Sequence, residues 1–130
     1  MRVTPGLYAP ESYRRAAQEL VEDIANGCGA AGSIDFVPDH ILFLDTSEAC
    51  NIHDWEFHWG VTVEDMHSAN RAFKNNLVRI INIKGGILRR PRLLLASAAY
   101  WAVEAFGGPA FWANKEGGPI DKPIQIRGEK

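Results

Sequence analysis

Apolar residues recur along most of the chain at the three- and four-residue spacing of one helix face, with polar residues between them. This pattern predicts four helices, at about 10–25, 46–59, 62–83 and 91–106. The sequences DTSE and TVED predict capping boxes at the starts of the second and third helices. A glycine-rich loop at 26–40 and a Gly/Pro-rich tail at 107–130 complete the chain. We therefore expect an all-α fold with two central helices and flanking N- and C-terminal helices.

The second and third predicted helices carry polar residues on their apolar faces. Cys50, His53 and Phe57 share one face of the second helix, and Asn70 lies on the apolar stripe of the third. Because a very short turn joins these helices, they should pack as an antiparallel pair, with His53 opposite Asn70. A buried histidine whose ring is held by a side-chain carbonyl has the geometry of an oriented general base. Asp54, beside it, is placed to hold a cation together with oxygens from the glycine-rich loop.

These residues resemble a known family. The order of a glycine-rich loop with a cysteine, the motif C-x-x-H-D at 50–54 and an inward polar residue on the next helix is similar to the phospholipase A₂ superfamily. The spacing looks closest to its compact viral and prokaryotic branches, which include phage-type proteins. The resemblance covers roughly residues 26–77, which we expect to form the core of a phospholipase A₂-like fold extending to about residue 83.

The resemblance implies a site and an activity. It implies a disulfide between Cys28 and Cys50, with His53 as the base that activates water. The calcium ligands that it implies are Asp54 and backbone carbonyls of the loop at Gly27, Gly29 and Gly32. The implied reaction is calcium-dependent hydrolysis of a phospholipid acyl ester, with a phospholipid membrane surface as the partner.

Two positions depart from the family pattern. Asn70 stands where the family usually has an aspartate, and Phe57 stands where its histidine motif usually ends in tyrosine. An asparagine carbonyl can still accept the imidazole N–H, but it supplies no negative charge to stabilise the imidazolium. We therefore expect slow or lost turnover on an otherwise retained fold.

The same residues allow two other interpretations. Cys28, Cys50 and His53, with Asp54 or His40 as a fourth ligand, have the residue types of a small structural zinc site. Alternatively, the chain is a non-catalytic helical structural or interaction protein, such as a phage-derived component that keeps the scaffold without the chemistry.

Length, charge and the N-terminal sequence indicate the number of domains, the type of partner and the localisation of the protein. The 130 residues are enough for one domain, and a net charge of −2 argues against nucleic acid as a partner. Residues 1–75 carry 5 Lys and Arg against 12 Asp and Glu, whereas residues 76–130 carry 9 against 4. The basic second part suits a phosphate-bearing surface. The first residues contain no signal-peptide pattern, which predicts a cytoplasmic protein, or one that is phage-associated or released by another route.

Two groups of side chains have weaker functional signals. His40, His58 and His67 are expected at the surface. The tryptophans are expected mostly in the core, with one alternative in which aromatic and basic residues form a membrane-interface patch. The residues of that alternative patch are Trp101, Phe106, Trp112, Arg89, Arg90 and Arg92.

Overall fold

The computed structural model describes residues 3–24, 40–113 and 115, and within these residues the chain forms six helices and one β-hairpin. The all-α prediction is confirmed, apart from the two-stranded hairpin. In chain order the elements are α1 (Glu11–Arg15), α2 (Gln18–Ile24), β1 (His40–Ile41), β2 (Leu44–Asp45), α3 (Ser47–Trp59), α4 (Val63–Lys84), α5 (Arg89–Phe106) and α6 (Gly108–Trp112).

The central pair, α3 and α4, forms as predicted and positions the site. Gly60 ends α3, and Thr62 begins α4 with a complete capping box. The hydroxyl of Thr62 accepts the backbone N–H of Asp65 at 3.0 Å, and the Asp65 carboxylate accepts the N–H of Thr62 at 3.1 Å. The short turn makes the two helices antiparallel neighbours, and α5 also packs against α4.

Only half of the capping box predicted at the start of α3 forms: Asp45 supplies a capping oxygen, but Glu48 bonds elsewhere. Thr46 is the N-cap, and its side chain makes no capping hydrogen bond. Asp45 instead accepts the backbone N–H of Ser47 at 2.9 Å and its hydroxyl at 2.6 Å. Glu48, the expected partner, accepts the backbone N–H and the hydroxyl of Thr4 at 2.9 and 2.5 Å. The N-terminal segment, 44 residues away in sequence, therefore competes successfully for this carboxylate.

The first predicted helix is divided in two. Ala16 has an extended backbone with ψ of 149°, which ends α1 before α2 begins. A continuous helix would set Tyr13 and Val21 about 80° apart around its axis. With the break, both side chains are buried in one cluster with Trp55 of α3, whereas the predicted apolar position Leu20 is exposed. The predicted end of this helix, at residue 25, lies outside the described residues.

The hairpin formed by β1 and β2 was not predicted from the sequence. Its turn places Leu42 and Phe43 at φ of 45° and 71°, a conformation usually occupied by asparagine or glycine. The side chain of Arg92 is buried beneath the turn, and its guanidinium donates to the carbonyls of Ile41 and Leu42 at 2.6–3.3 Å. Assigning Arg92 to a surface patch was therefore wrong, because the hairpin carbonyls bind it.

The main core lies between the central pair, the hairpin, α5 and α6. Helix α6 falls in the stretch predicted as tail and contributes the fully buried Phe111. The ring of Phe111 meets Phe57 edge-on, with centroids 5.1 Å apart, and lies directly over Gly60. The buried residues of this core are Ile41, Ala49, Cys50, Phe57, Ala69, Phe73, Leu77, Ile81, Ala96, Val103 and Phe111.

Candidate functional site

The centre of the candidate site is a buried hydrogen bond between the two central helices. Nε2 of His53 on α3 lies 2.7 Å from Oδ1 of Asn70 on α4. The imidazole is 3% exposed and lies between two aromatic rings, with centroids 4.2 Å from Phe57 and 4.7 Å from Phe73. The predicted proximity of His53 and Asn70 is therefore confirmed.

The hydrogen bond and the burial together set the protonation of the ring. An amide oxygen only accepts, so in this arrangement Nε2 of His53 carries the hydrogen and Nδ1 carries the lone pair. None of the described residues forms a hydrogen bond with Nδ1. Desolvation lowers the pKa of His53 to about 4, and the hydrogen bond to Asn70 opposes this shift only in part. At neutral pH the ring is an oriented but weak base.

Asn70 is only half satisfied by this contact. Its side chain is fully buried, and its Nδ2 has no hydrogen-bond partner among the described residues. A buried N–H without a partner costs about 1–3 kcal/mol. The asparagine therefore holds His53 at the cost of leaving its own buried amide N–H groups without a partner among the described residues.

The remaining calcium and disulfide predictions depend partly on residues outside the described part of the chain. Asp54 follows His53 on α3 and is half-buried. Its predicted co-ligands, the carbonyls of Gly27, Gly29 and Gly32, lie outside the described residues. Within 3–24, 40–113 and 115, no three His, Cys, Asp or Glu side chains gather as a metal site. The calcium site stays a prediction.

The cysteine predictions also involve a residue outside the described part of the chain. Cys50 is fully buried on α3, one helical turn before His53. Cys28 lies outside the described residues. The disulfide between Cys28 and Cys50 and the alternative zinc site that uses both cysteines with His53 therefore stay predictions.

The other histidines are distributed away from His53. His40 on β1 and His58 on α3 are exposed, as expected. His67 is not simply a surface residue: its Nδ1 lies 2.8 Å from a carboxylate oxygen of Glu104, which ties α4 to α5. The sequence offered no spacing that would relate positions so far apart.

Sequence reasoning missed two buried polar groups near the central pair. Asn76 on α4 is fully buried, accepts the backbone N–H of Tyr8 at 2.8 Å and donates to its carbonyl at 2.9 Å. Its position three residues after Phe73 and four before Ile80 was the available signal. Glu56 on α3 is largely buried, and its Oε1 has no hydrogen-bond partner among the described residues. Desolvation raises the pKa of Glu56 to about 8.

Two findings complete the description. None of the helices in the described residues is long and apolar enough to cross a membrane. No family model matches the chain, and no curated protein or solved structure matches it.

Proposed function

We propose that the chain is a phospholipase A₂-like ester hydrolase that cleaves a phospholipid acyl ester with calcium, using His53 as the general base. The observation that carries the proposal is the 2.7 Å contact between Nε2 of His53 and Oδ1 of Asn70. This contact fixes the ring and leaves Nδ1 as the basic nitrogen. An acyl hydrolase needs such a base within reach of a water molecule.

The position of Asp54 supports the calcium component. A half-buried carboxylate directly after the base is a suitable oxygen donor for a hard divalent cation. The proposed co-ligands are the backbone carbonyls of Gly27, Gly29 and Gly32. Calcium bound there would supply positive charge beside the ester carbonyl and its developing oxyanion.

The proposed reaction is a general-base hydrolysis. Nδ1 of His53 takes a proton from water while the water oxygen attacks the ester carbonyl carbon. The bond between this carbon and the glycerol oxygen then breaks, and the imidazolium returns the proton to the glycerol oxygen. The products are a fatty acid and a lysophospholipid, and the ring returns to its neutral form. Asn70 keeps Nε2 engaged as a donor throughout.

The site also explains why turnover should be slow. Burial keeps the pKa of His53 at about 4, so the imidazolium formed during the reaction is costly. Asn70 provides no negative charge to offset that cost. In serine proteases the corresponding loss of an aspartate next to the base slows turnover by roughly ten-thousandfold.

The burial of His53 supports a second candidate function, a non-catalytic structural or interaction protein built on the same scaffold. A ring that is 3% exposed and enclosed by Phe57 and Phe73 also packs as a core residue. The two candidates differ in whether removal of the imidazole changes a measured activity.

Fatty-acid release from phospholipid vesicles tests the proposal. We expect slow release with calcium and none with a chelator. His53→Ala and Asp54→Ala should abolish release, while Asn70→Asp should increase it by restoring the carboxylate. His58→Ala is the matched control, because His58 is an exposed histidine on the same helix and should leave the rate unchanged.

The enzyme proposal fails if the calcium-loaded protein releases no fatty acid and Asn70→Asp gains no activity. It also fails if His53→Ala retains the wild-type rate while circular dichroism shows a retained fold. Either result would favour the non-catalytic candidate.

A further inference from the structure

The outward face of α5 is apolar over nearly its whole length. The side chains of Leu94, Trp101 and Phe106 are 73%, 65% and 68% exposed, although large apolar residues are usually buried. Pro91, Leu94, Ala98, Trp101 and Ala105 recur at three- and four-residue spacing, so they lie on one face of the helix. We call the exposed residues Leu94, Leu95, Ala98, Trp101, Ala105 and Phe106 the α5 face.

The α5 face is about 18 Å long, since its residues span 94–106 at about 1.5 Å each. Exposed patches of this kind on monomeric proteins usually mark an interaction surface. Ile87, just before α5, is 95% exposed and extends the apolar character toward the start of the helix.

Basic side chains lie at the start of this face and beside it. Arg89 and Arg90 are exposed at the start of α5. On the neighbouring helix α4, the Nζ of Lys74 lies 5.4 Å from the ring centroid of Tyr100, and Arg71 is exposed one turn before Lys74. Four cations therefore lie on α5 or beside it.

The one carboxylate of α5 does not offset these cations on the outer surface. Glu104 is only 15% exposed and bonds to His67 of α4 at 2.8 Å. It is therefore directed toward the interior of the helix pair rather than toward the α5 face. The outer surface combines Leu, Trp and Phe side chains with cationic borders.

This combination fits an anionic lipid surface better than a second copy of the chain. Amphipathic helices that lie in the membrane interface pair an apolar face containing Trp, Phe and Leu with flanking Lys and Arg residues. Anionic headgroups would neutralise the four border cations, whereas a second copy would bring four more cations to the same surface.

We infer that the α5 face binds the surface of an anionic phospholipid bilayer, with α5 lying parallel to that surface. This binding goes beyond the proposed hydrolysis, because it involves neither His53 nor calcium. It also differs from the patch considered from sequence, since Arg92 is buried beneath the hairpin and Trp112 packs on Phe111 with ring centroids 4.8 Å apart.

Vesicle sedimentation in the presence of a chelator tests the inference without catalysis. The full chain should sediment with vesicles that contain phosphatidylglycerol and bind at least tenfold more weakly to pure phosphatidylcholine. The double variant Leu94→Gln/Trp101→Gln should lose most of the binding. Both side chains are exposed, so the variant should keep the wild-type circular dichroism spectrum. Arg89→Gln and Arg90→Gln should each weaken binding to the anionic vesicles about fivefold.

The matched control is Trp59→Gln, which removes another exposed tryptophan, on α3 rather than α5, and should bind like the wild type. Sedimentation is measured without calcium and does not require hydrolysis, so a failed hydrolysis assay leaves this inference standing. Equal binding by the double variant and the wild type would overturn it. So would light scattering that shows a dimer dissolved by Trp101→Gln, with no sedimentation on vesicles, because a second copy would then occupy the face.

Discussion

Replacing Asn70 with aspartate tests why the candidate base is weak. The substitution places a carboxylate oxygen where an amide oxygen now lies 2.7 Å from Nε2 of His53. Desolvation holds the pKa of His53 at about 4, so the wild-type ring is neutral at pH 7. A negative charge beside the ring favours its protonated form and should raise this pKa.

The size of the expected pKa shift of His53 follows from its distance to the new carboxylate at position 70. Unit charges about 4 Å apart at an effective dielectric constant of about 20 attract by about 4 kcal/mol, or about 3 pKa units. The new carboxylate is fully buried at position 70, and part of the attraction is spent on keeping it ionised. We therefore expect the pKa of His53 to rise by about 2 units, toward 6, with the two groups titrating as a coupled pair.

NMR titration of the histidine rings measures this shift, and the His53 resonance is assigned by its absence in His53→Ala. Asn75→Asp is the control for net charge, because Asn75 is exposed on the same helix and solvent screens its charge from the ring. We expect it to leave the pKa of His53 within about half a unit of the wild type. A His53 pKa that remains near 4 in folded Asn70→Asp would refute the explanation of the weak base.

Stability gives a second readout of the same group. Between pH 6.5 and about 4, His53 takes up a proton in the unfolded chain but not in the folded protein. For this group the unfolded state then binds more protons, so His53 makes the protein less stable as the pH falls through this range. Glu56 has the opposite effect above pH 4.5, because its pKa is raised in the folded state. The effect of His53 is therefore measured in the Glu56→Gln variant. Asn70→Asp should narrow the range by raising the folded-state pKa. An unfolding midpoint in urea that is flat over this range in the Glu56→Gln variant would contradict the burial argument.

Three further predictions concern stability. Folded Glu56 keeps its proton up to a pKa of about 8, against 4.5 ordinarily, so this group lowers the free energy of unfolding as the pH rises between these values. In urea unfolding, Glu56→Gln should be about as stable as the wild type at pH 4 and more stable than it at pH 9. Gly60→Ala places a Cβ 2.8 Å from Cε1 of Phe111 and should lower the free energy of unfolding by about 1–3 kcal/mol. In the control Gly108→Ala, the new Cβ meets nothing within 4 Å, so the free energy of unfolding should change little. Equal losses in the two variants would refute the packing argument. Phe43 is 92% exposed and has a positive φ, so Phe43→Gly should raise the free energy of unfolding by up to about 1 kcal/mol. A lower thermal midpoint would contradict this.

The central helix pair could be predicted because its signals are local. The TVED sequence places donors and acceptors three residues apart, so the start of α4 needs no distant contact. The contact between His53 and Asn70 could be predicted because a short turn makes the two helices antiparallel, and because the helical spacing of apolar residues places each side chain on the inward face of its helix. Local sequence therefore determined both the pair and the site contact at its centre.

The errors arise where distant residues compete for a local group. Glu48 carries the right spacing for a cap, but Thr4 offers it two donors from the N-terminal segment. Arg92 looked like part of a basic surface run, but the hairpin carbonyls of Ile41 and Leu42 bind it in the interior. The turn of the hairpin has Leu42 and Phe43 at positive φ instead of asparagine or glycine, so no sequence motif predicted a turn there.

Asn70 determines more than the charge of the site. An aspartate can only accept, so it requires the hydrogen on Nε2 of His53 and leaves Nδ1 basic. An asparagine can present either end of its amide. With Oδ1 toward the ring, Nδ1 is basic but Nδ2 stays buried without a partner among the described residues. With Nδ2 toward the ring, the hydrogen moves to Nδ1 and the base is lost. Residue 70 therefore selects which nitrogen can react, and Asn70→Asp should lock the reactive tautomer as well as raise the pKa.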